Sequence, residues 1–199
     1  DIFNEGFDFY KNYLRIGISG IIGGIGLGTA NITFIWSITN TTAAITYYVW
    51  RYAFYTALLG FLFLKEKISI GIWMAIFTAC IGVAIMAIGS SSLGSVNGLI
   101  FGLASAFGFS IFSVSLRWRK ETPKFTTVAI AGLFCCLFSF VIIVQNDLDF
   151  LSSSKNESLF ALHGTLVCLG LILYSIGSRV IPAAELTLLS LTEVIGGIF

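Results

Sequence analysis

Residues 61–89, FLFLKEKISIGIWMAIFTACIGVAIMAIG, place a charged Lys-Glu-Lys turn shortly before an apolar run, 70–88, that contains no charged side chain. A helix needs about 20 mostly apolar residues to cross the hydrocarbon core of a bilayer. The run therefore predicts a membrane-spanning helix that follows a short charged loop. With this run included as segment C, the chain has seven predicted membrane-spanning segments: A (16–38), B (41–64), C (70–88), D (96–116), E (125–144), F (159–178) and G (183–199).

The composition of the whole chain agrees with this prediction. Hydrophobic residues make up 57% of the sequence and charged residues only 11%, whereas about 25% of the residues of a soluble domain are charged. The apolar runs are too continuous for barrel strands, which alternate apolar and polar residues over about ten positions. We therefore predict an all-α integral membrane protein in which short loops make sequence neighbours antiparallel.

The distribution of basic residues predicts the orientation. Cytoplasmic loops are enriched in lysine and arginine. Of the 11 lysines and arginines, nine fall on one side of the predicted membrane and only Lys155 falls on the other. Arg51 lies inside segment B. We therefore expect the loops at Lys65 and Arg117 to be cytoplasmic, in a multi-pass protein of the cell membrane. The basic residues on that side are Lys11, Arg15, Lys65, Lys67, Arg117, Arg119, Lys120, Lys124 and Arg179.

Segments A and B also match segments F and G at an offset of 140 residues. Gly24 falls on Gly164, Ile32 falls on Ile172, and two adjacent alanines near the start of B fall on the alanines that begin G. Because A and F are five segments apart, equivalent segments cross the membrane in opposite directions. Inverted repeats are typical of secondary transporters, whose binding site lies at the repeat interface near the midplane.

Residues 61–89 and 180–199 (VIPAAELTLLSLTEVIGGIF) resemble the two characteristic stretches of the EamA-type drug/metabolite transporter superfamily. The resemblance implies ten helices in two inverted five-helix halves, with A to G as the third to ninth. It thus implies that this chain is part of a longer protein, with residues 1–95 in the first repeat and 96–199 in the second. Val194 stands where the family often has proline.

Arg51, amid aromatic residues near the middle of segment B, is the first candidate site residue. Arginine keeps its charge, and its insertion at the bilayer centre costs from about 2.5 to over 10 kcal/mol, depending on the method. Helical spacing places Tyr47, Tyr48 and Tyr55 on the same face. Arg51 either forms a structural ion pair or faces water, or it binds a substrate carboxylate or phosphate, which its planar fork suits.

Glu193, ten residues into segment G, is the predicted counterpart. A buried carboxyl can load and release a proton, as proton-coupled exchange requires, or it can pair with Arg51. Asn31 is a candidate cavity residue, while the glycines before it on segment A predict close helix packing. His163, predicted one turn into segment F, is either a proton relay or an interfacial packing residue.

These residues favour a secondary transporter that moves a small polar or amphiphilic metabolite by alternating access, with proton coupling as a further option. An enzyme is disfavoured, because the sequence offers no nucleophile–base pair, metal cluster or phosphate loop. The alternative is a seven-helix receptor or another membrane protein that does not transport. We expect a small-molecule substrate, anionic if Arg51 binds it, and the lipid bilayer as partners, with no cofactor and no nucleic acid.

Overall fold

The computed structural model describes residues 16–40, 44–65, 69–89, 96–119, 123–145, 154–178 and 180–190. Every regular element within these ranges is a helix, and each lies on one of the predicted segments A to G. The all-α prediction is therefore confirmed for the described part of the chain. In order, the helices are α1 (Gly17–Asn40), α2 (Ala44–Leu64), α3 (Ile70–Gly89), α4 (Val96–Trp118), α5 (Lys124–Gln145), α6 (Ser154–Gly177) and α7 (Ala183–Ser190).

Four helices in the described residues, α1, α4, α5 and α6, are long and apolar enough to cross a membrane. Large apolar side chains such as Leu137, Phe160 and Leu173 are exposed on α5 and α6. In a bilayer these side chains meet lipid tails, which are as apolar as they are. The structure thus agrees with a helical membrane protein.

In the described part of the chain, helices α1 and α4 share the most extensive contact, and they run antiparallel. The Ser37 hydroxyl donates to the Gly98 carbonyl at 2.7 Å, and the Ser105 hydroxyl donates to the Ala30 carbonyl at 2.7 Å. Closer to the start of α1, the backbones of the two helices come into contact at glycine residues. A Cβ added to Gly108 would lie 2.6 Å from the carbonyl oxygen of Gly26.

Gly20, Gly24 and Gly28 of α1 face α5, as the packing prediction for segment A requires, whereas Gly26 faces α4. A Cβ at Gly24 would lie 2.5 Å from the Ile130 side chain, and one at Gly28 would lie 2.6 Å from the Phe134 ring. Small residues let helix backbones approach closely in membranes. The close packing predicted for these glycines is confirmed. Helices α1 and α5 run parallel to each other.

Helix α4 lies at the centre of the bundle and runs parallel to both α2 and α6. The Thr56 hydroxyl donates to Ser110 at 3.0 Å, and the hydroxyls of Ser113 and Tyr174 lie 2.7 Å apart. The core is built around the same helix. It consists of the buried residues Leu27, Phe112, Leu116 and Ala131, with Phe109, Val128, Leu171 and Tyr174 packed against them.

Candidate functional site

The helix that carries Arg51 packs against both α4 and α7. Thr56 of α2 bonds to Ser110 of α4, and Tyr55 contacts Phe107, so the two helices run side by side in the same direction. The backbone of Arg51 therefore lies level with Ser105, the tenth of the 23 residues of α4. This level is near the middle of α4, a helix long enough to span the membrane. The side chains of residues 44–53, among them Tyr47, Tyr48 and Arg51, and the whole of residues 191–199, with Glu193, lie outside the described part.

Tyr55 is the described member of the predicted tyrosine face. Its half-buried ring meets Phe107 of α4 edge to face, with 6.1 Å between centroids, and it also contacts Phe54 at 6.0 Å. Phe54 in turn contacts Trp73 of α3 at 6.5 Å. The aromatic residues that follow Arg51 on α2 thus hold this helix between two neighbours.

Asn31 lies on a different face of the bundle from Tyr55. Its half-buried side chain lies close to Cys135 of α5, whereas Tyr55 contacts α4. The described contacts therefore do not bring these two predicted site residues together. Sequence position alone could not show this, because α1 contacts several other helices.

His163 lies farther from its helix end than predicted. Helix α6 begins at Ser154, five residues before the predicted start of segment F, and its first turn contains Glu157. An acidic side chain in the first turn stabilises a helix through its dipole. The predicted segment began later because it was defined by apolar residues alone, which excludes this polar turn. The prediction that His163 lies one turn into the helix is therefore wrong. His163 is exposed, in a run, 157–170, where every residue is exposed.

Hydroxyl groups are the polar groups that the structure brings together inside the bundle. Ser110 accepts a hydrogen bond from Thr56 and donates to the Ala106 carbonyl at 2.7 Å, so two helices share it. Ser113, one turn further along α4, connects to Tyr174 of α6. The Ser175 hydroxyl next to Tyr174 is fully buried without a hydrogen-bond partner. Hydroxyls of this kind join membrane helices, and they can also hydrogen-bond a polar ligand.

Arg117 joins the end of α4 to the turn between α6 and α7. Its guanidinium donates to the carbonyl oxygens of Ser178 at 3.1 Å and of Ile181 at 2.6 Å. The α4–α5 and α6–α7 connections therefore lie at the same end of the bundle, as the orientation of the basic loops requires. In the sequence, Arg117 indicates only the orientation of its loop. Its bonds to backbone carbonyls were not predictable, because such partners have no sequence signature.

Among the described residues, no three His, Cys, Asp or Glu side chains are grouped in a way that could hold a metal ion. Comparison of the chain with protein-family models, with curated proteins and with solved structures gives no match.

Proposed function

We propose that this chain is the greater part of a secondary transporter of the EamA type, which moves a small polar or amphiphilic metabolite by alternating access. One observation carries the proposal. Helices α2 and α7, which the 140-residue offset makes equivalent, pack against each other and both contact α4. Equivalent helices of an inverted repeat are expected to meet at the repeat interface, where transporters bind their substrates.

The helix directions support the same proposal. Helix α1 is antiparallel to α4, whereas α6 is parallel to α4, so α1 and α6 run in opposite directions. This is the relation that an inverted repeat needs between segments A and F. In this proposal the chain contains seven of the ten expected membrane spans. Residues 1–95 belong to the first repeat and residues 96–199 to the second.

In the proposed mechanism, Arg51 binds an anionic group of the substrate at the midplane. Its guanidinium fork suits a carboxylate or a phosphate, and Tyr47, Tyr48 and Tyr55 shape the pocket around it. Glu193 on the partner half binds a proton when the arginine is occupied by substrate, and pairs with Arg51 when it is not. The protein performs transport and no chemical conversion of the substrate.

Replacing Arg51 with alanine tests substrate recognition. The full-length protein is reconstituted in proteoliposomes with small organic acids and phosphates first selected by thermal shift. We expect the transport rate per folded molecule to fall about 10- to 100-fold, which corresponds to the loss of one hydrogen bond to a charged group. The Lys155→Gln variant, which also loses one basic residue, should transport normally. An unchanged rate in Arg51→Ala, with reduced stability, would make the arginine structural.

Replacing Glu193 with glutamine tests proton coupling separately. Glutamine keeps the size and hydrogen-bonding capacity of the side chain but does not titrate. We expect exchange driven by a pH gradient to be lost, while substrate still protects the protein in a thermal shift assay. The measurement is counterflow at several pH values. A pH-dependent rate in the variant would remove Glu193 from the coupling role.

A further inference from the structure

An apolar groove of about 310 Å³ runs along the outside of the bundle between α1, α2 and α4. Its walls include Ile22 of α1, Leu59 and Phe63 of α2, and Phe107, Val114 and Trp118 of α4. The one hydroxyl in the lining, that of Ser115, donates to the Phe112 carbonyl of its own helix at 2.7 Å. The lining therefore offers a ligand apolar surface and no free polar group among these residues.

The groove has the length of one acyl chain in one leaflet. It extends from Phe107, near the middle of α4, to Trp118, the last residue of that helix. Eleven steps along a helix measure about 16 Å, and half of a bilayer's hydrocarbon core is about 15 Å thick. The exposed Trp118 marks the interfacial end, where tryptophan is enriched.

That end of the groove is basic. Lys65 follows α2 directly and Arg119 follows α4 directly, and both are exposed. The Arg119 guanidinium lies over Gly17 at the start of α1, with its Nη1 2.7 Å from where a Cβ would be. The three groove helices contain no Asp or Glu, and the connections 65–69 and 119–123 together carry four basic and two acidic residues.

We propose that this groove binds an anionic phospholipid of the surrounding membrane. One acyl chain lies along α4 between Phe63 and Ile22, and the phosphate group is bound by Lys65 and Arg119. A basic residue near a membrane surface contributes about 1 kcal/mol to the attraction of anionic lipid. The groove adjoins the proposed transport pocket at Phe107, which contacts Tyr55, but the lipid proposal does not rest on transport.

The test uses the full chain in phosphatidylcholine vesicles, into which phosphatidylglycerol brominated near the headgroup end of its acyl chains is titrated. Bromine quenches nearby tryptophan, and the difference between the wild type and Trp118→Phe isolates the signal of Trp118. We expect half-maximal quenching at a mole fraction at least five-fold lower than with equally brominated phosphatidylcholine. Equal quenching by the two lipids overturns the proposal.

Variants separate the headgroup from the chain. The double change Lys65→Gln and Arg119→Gln should abolish the preference, whereas Lys155→Gln, at the other end of the bundle, should keep it. Leu59→Phe, which fills the groove, and Phe63→Ala, which removes a wall, should each abolish it too. A preference retained in the double variant, or in both groove variants, overturns the proposal.

Discussion

Replacing Gly108 with valine is expected to lower the free energy of unfolding by about 3 kcal/mol, the upper part of the usual range for overpacking. A Cβ at this position would lie 2.6 Å from the Gly26 carbonyl oxygen and 3.2 Å from the Ala30 nitrogen. Both atoms belong to the α1 backbone and cannot rotate away as a side chain can. Helices α1 and α4 must therefore separate, and the bonds from Ser37 and Ser105 lengthen with them.

The measurement is SDS-induced unfolding in mixed micelles, followed by the fluorescence of Trp36. This residue reports on the same packing, since its ring contacts Phe101 of α4 at 5.2 Å and Phe138 of α5 at 5.7 Å. Gly132→Val is the matched control, because a Cβ there meets nothing within 4 Å. It should change stability by no more than about 0.5 kcal/mol. Equal effects of the two variants would contradict the close α1–α4 crossing.

Replacing Arg117 with glutamine is expected to open the turn between α6 and α7. The change removes the charged donor to the carbonyls of Ser178 and Ile181, and a hydrogen bond to a charged group contributes about 1.5–3 kcal/mol. Limited trypsin digestion measures the result. When opening is fast relative to cleavage, cleavage follows the open population, so cutting after Arg179 should become at least about 10-fold faster.

Arg119→Gln in lipid-free neutral detergent is the control for this prediction. Arg119 is also an arginine at the end of α4, but it is exposed, so cutting after Arg179 should keep its wild-type rate. Arg117→Lys should restore part of the protection, since both bonds come from one guanidinium nitrogen, Nη1, and an ammonium keeps the charge and the donors but not the planar geometry. Equal cutting rates in Arg117→Gln and the wild type would show that the turn holds without this arginine.

For much of the candidate site, the sequence could predict only the depth of a residue in the membrane, and not its neighbours. The position of Arg51 midway along its apolar segment is a property of the sequence. The separation of Asn31 from Tyr55 was not predictable, because it depends on which neighbour each helix face meets. The Thr56–Ser110 and Ser113–Tyr174 pairs were missed for the same reason. Serine and threonine in a membrane helix bond to their own backbone as readily as to another helix.

The sequence by itself determined the helices and their alternating course, because bilayer thickness sets the length of an apolar run and short loops reverse its direction. It also predicted that the basic loops share one side, and the described ends of α4 and α6 lie together at one end of the bundle. Only the tertiary structure decided that α4 lies at the centre, that α1 turns Gly24 and Gly28 toward α5 and Gly26 toward α4, and that α6 leaves residues 157–170 exposed. The physical reason is that lipid is as apolar as the protein core, so hydrophobicity does not mark the buried face of a membrane helix. Close backbone approach and interhelical hydrogen bonds select that face, and both depend on pairs of residues far apart in the chain.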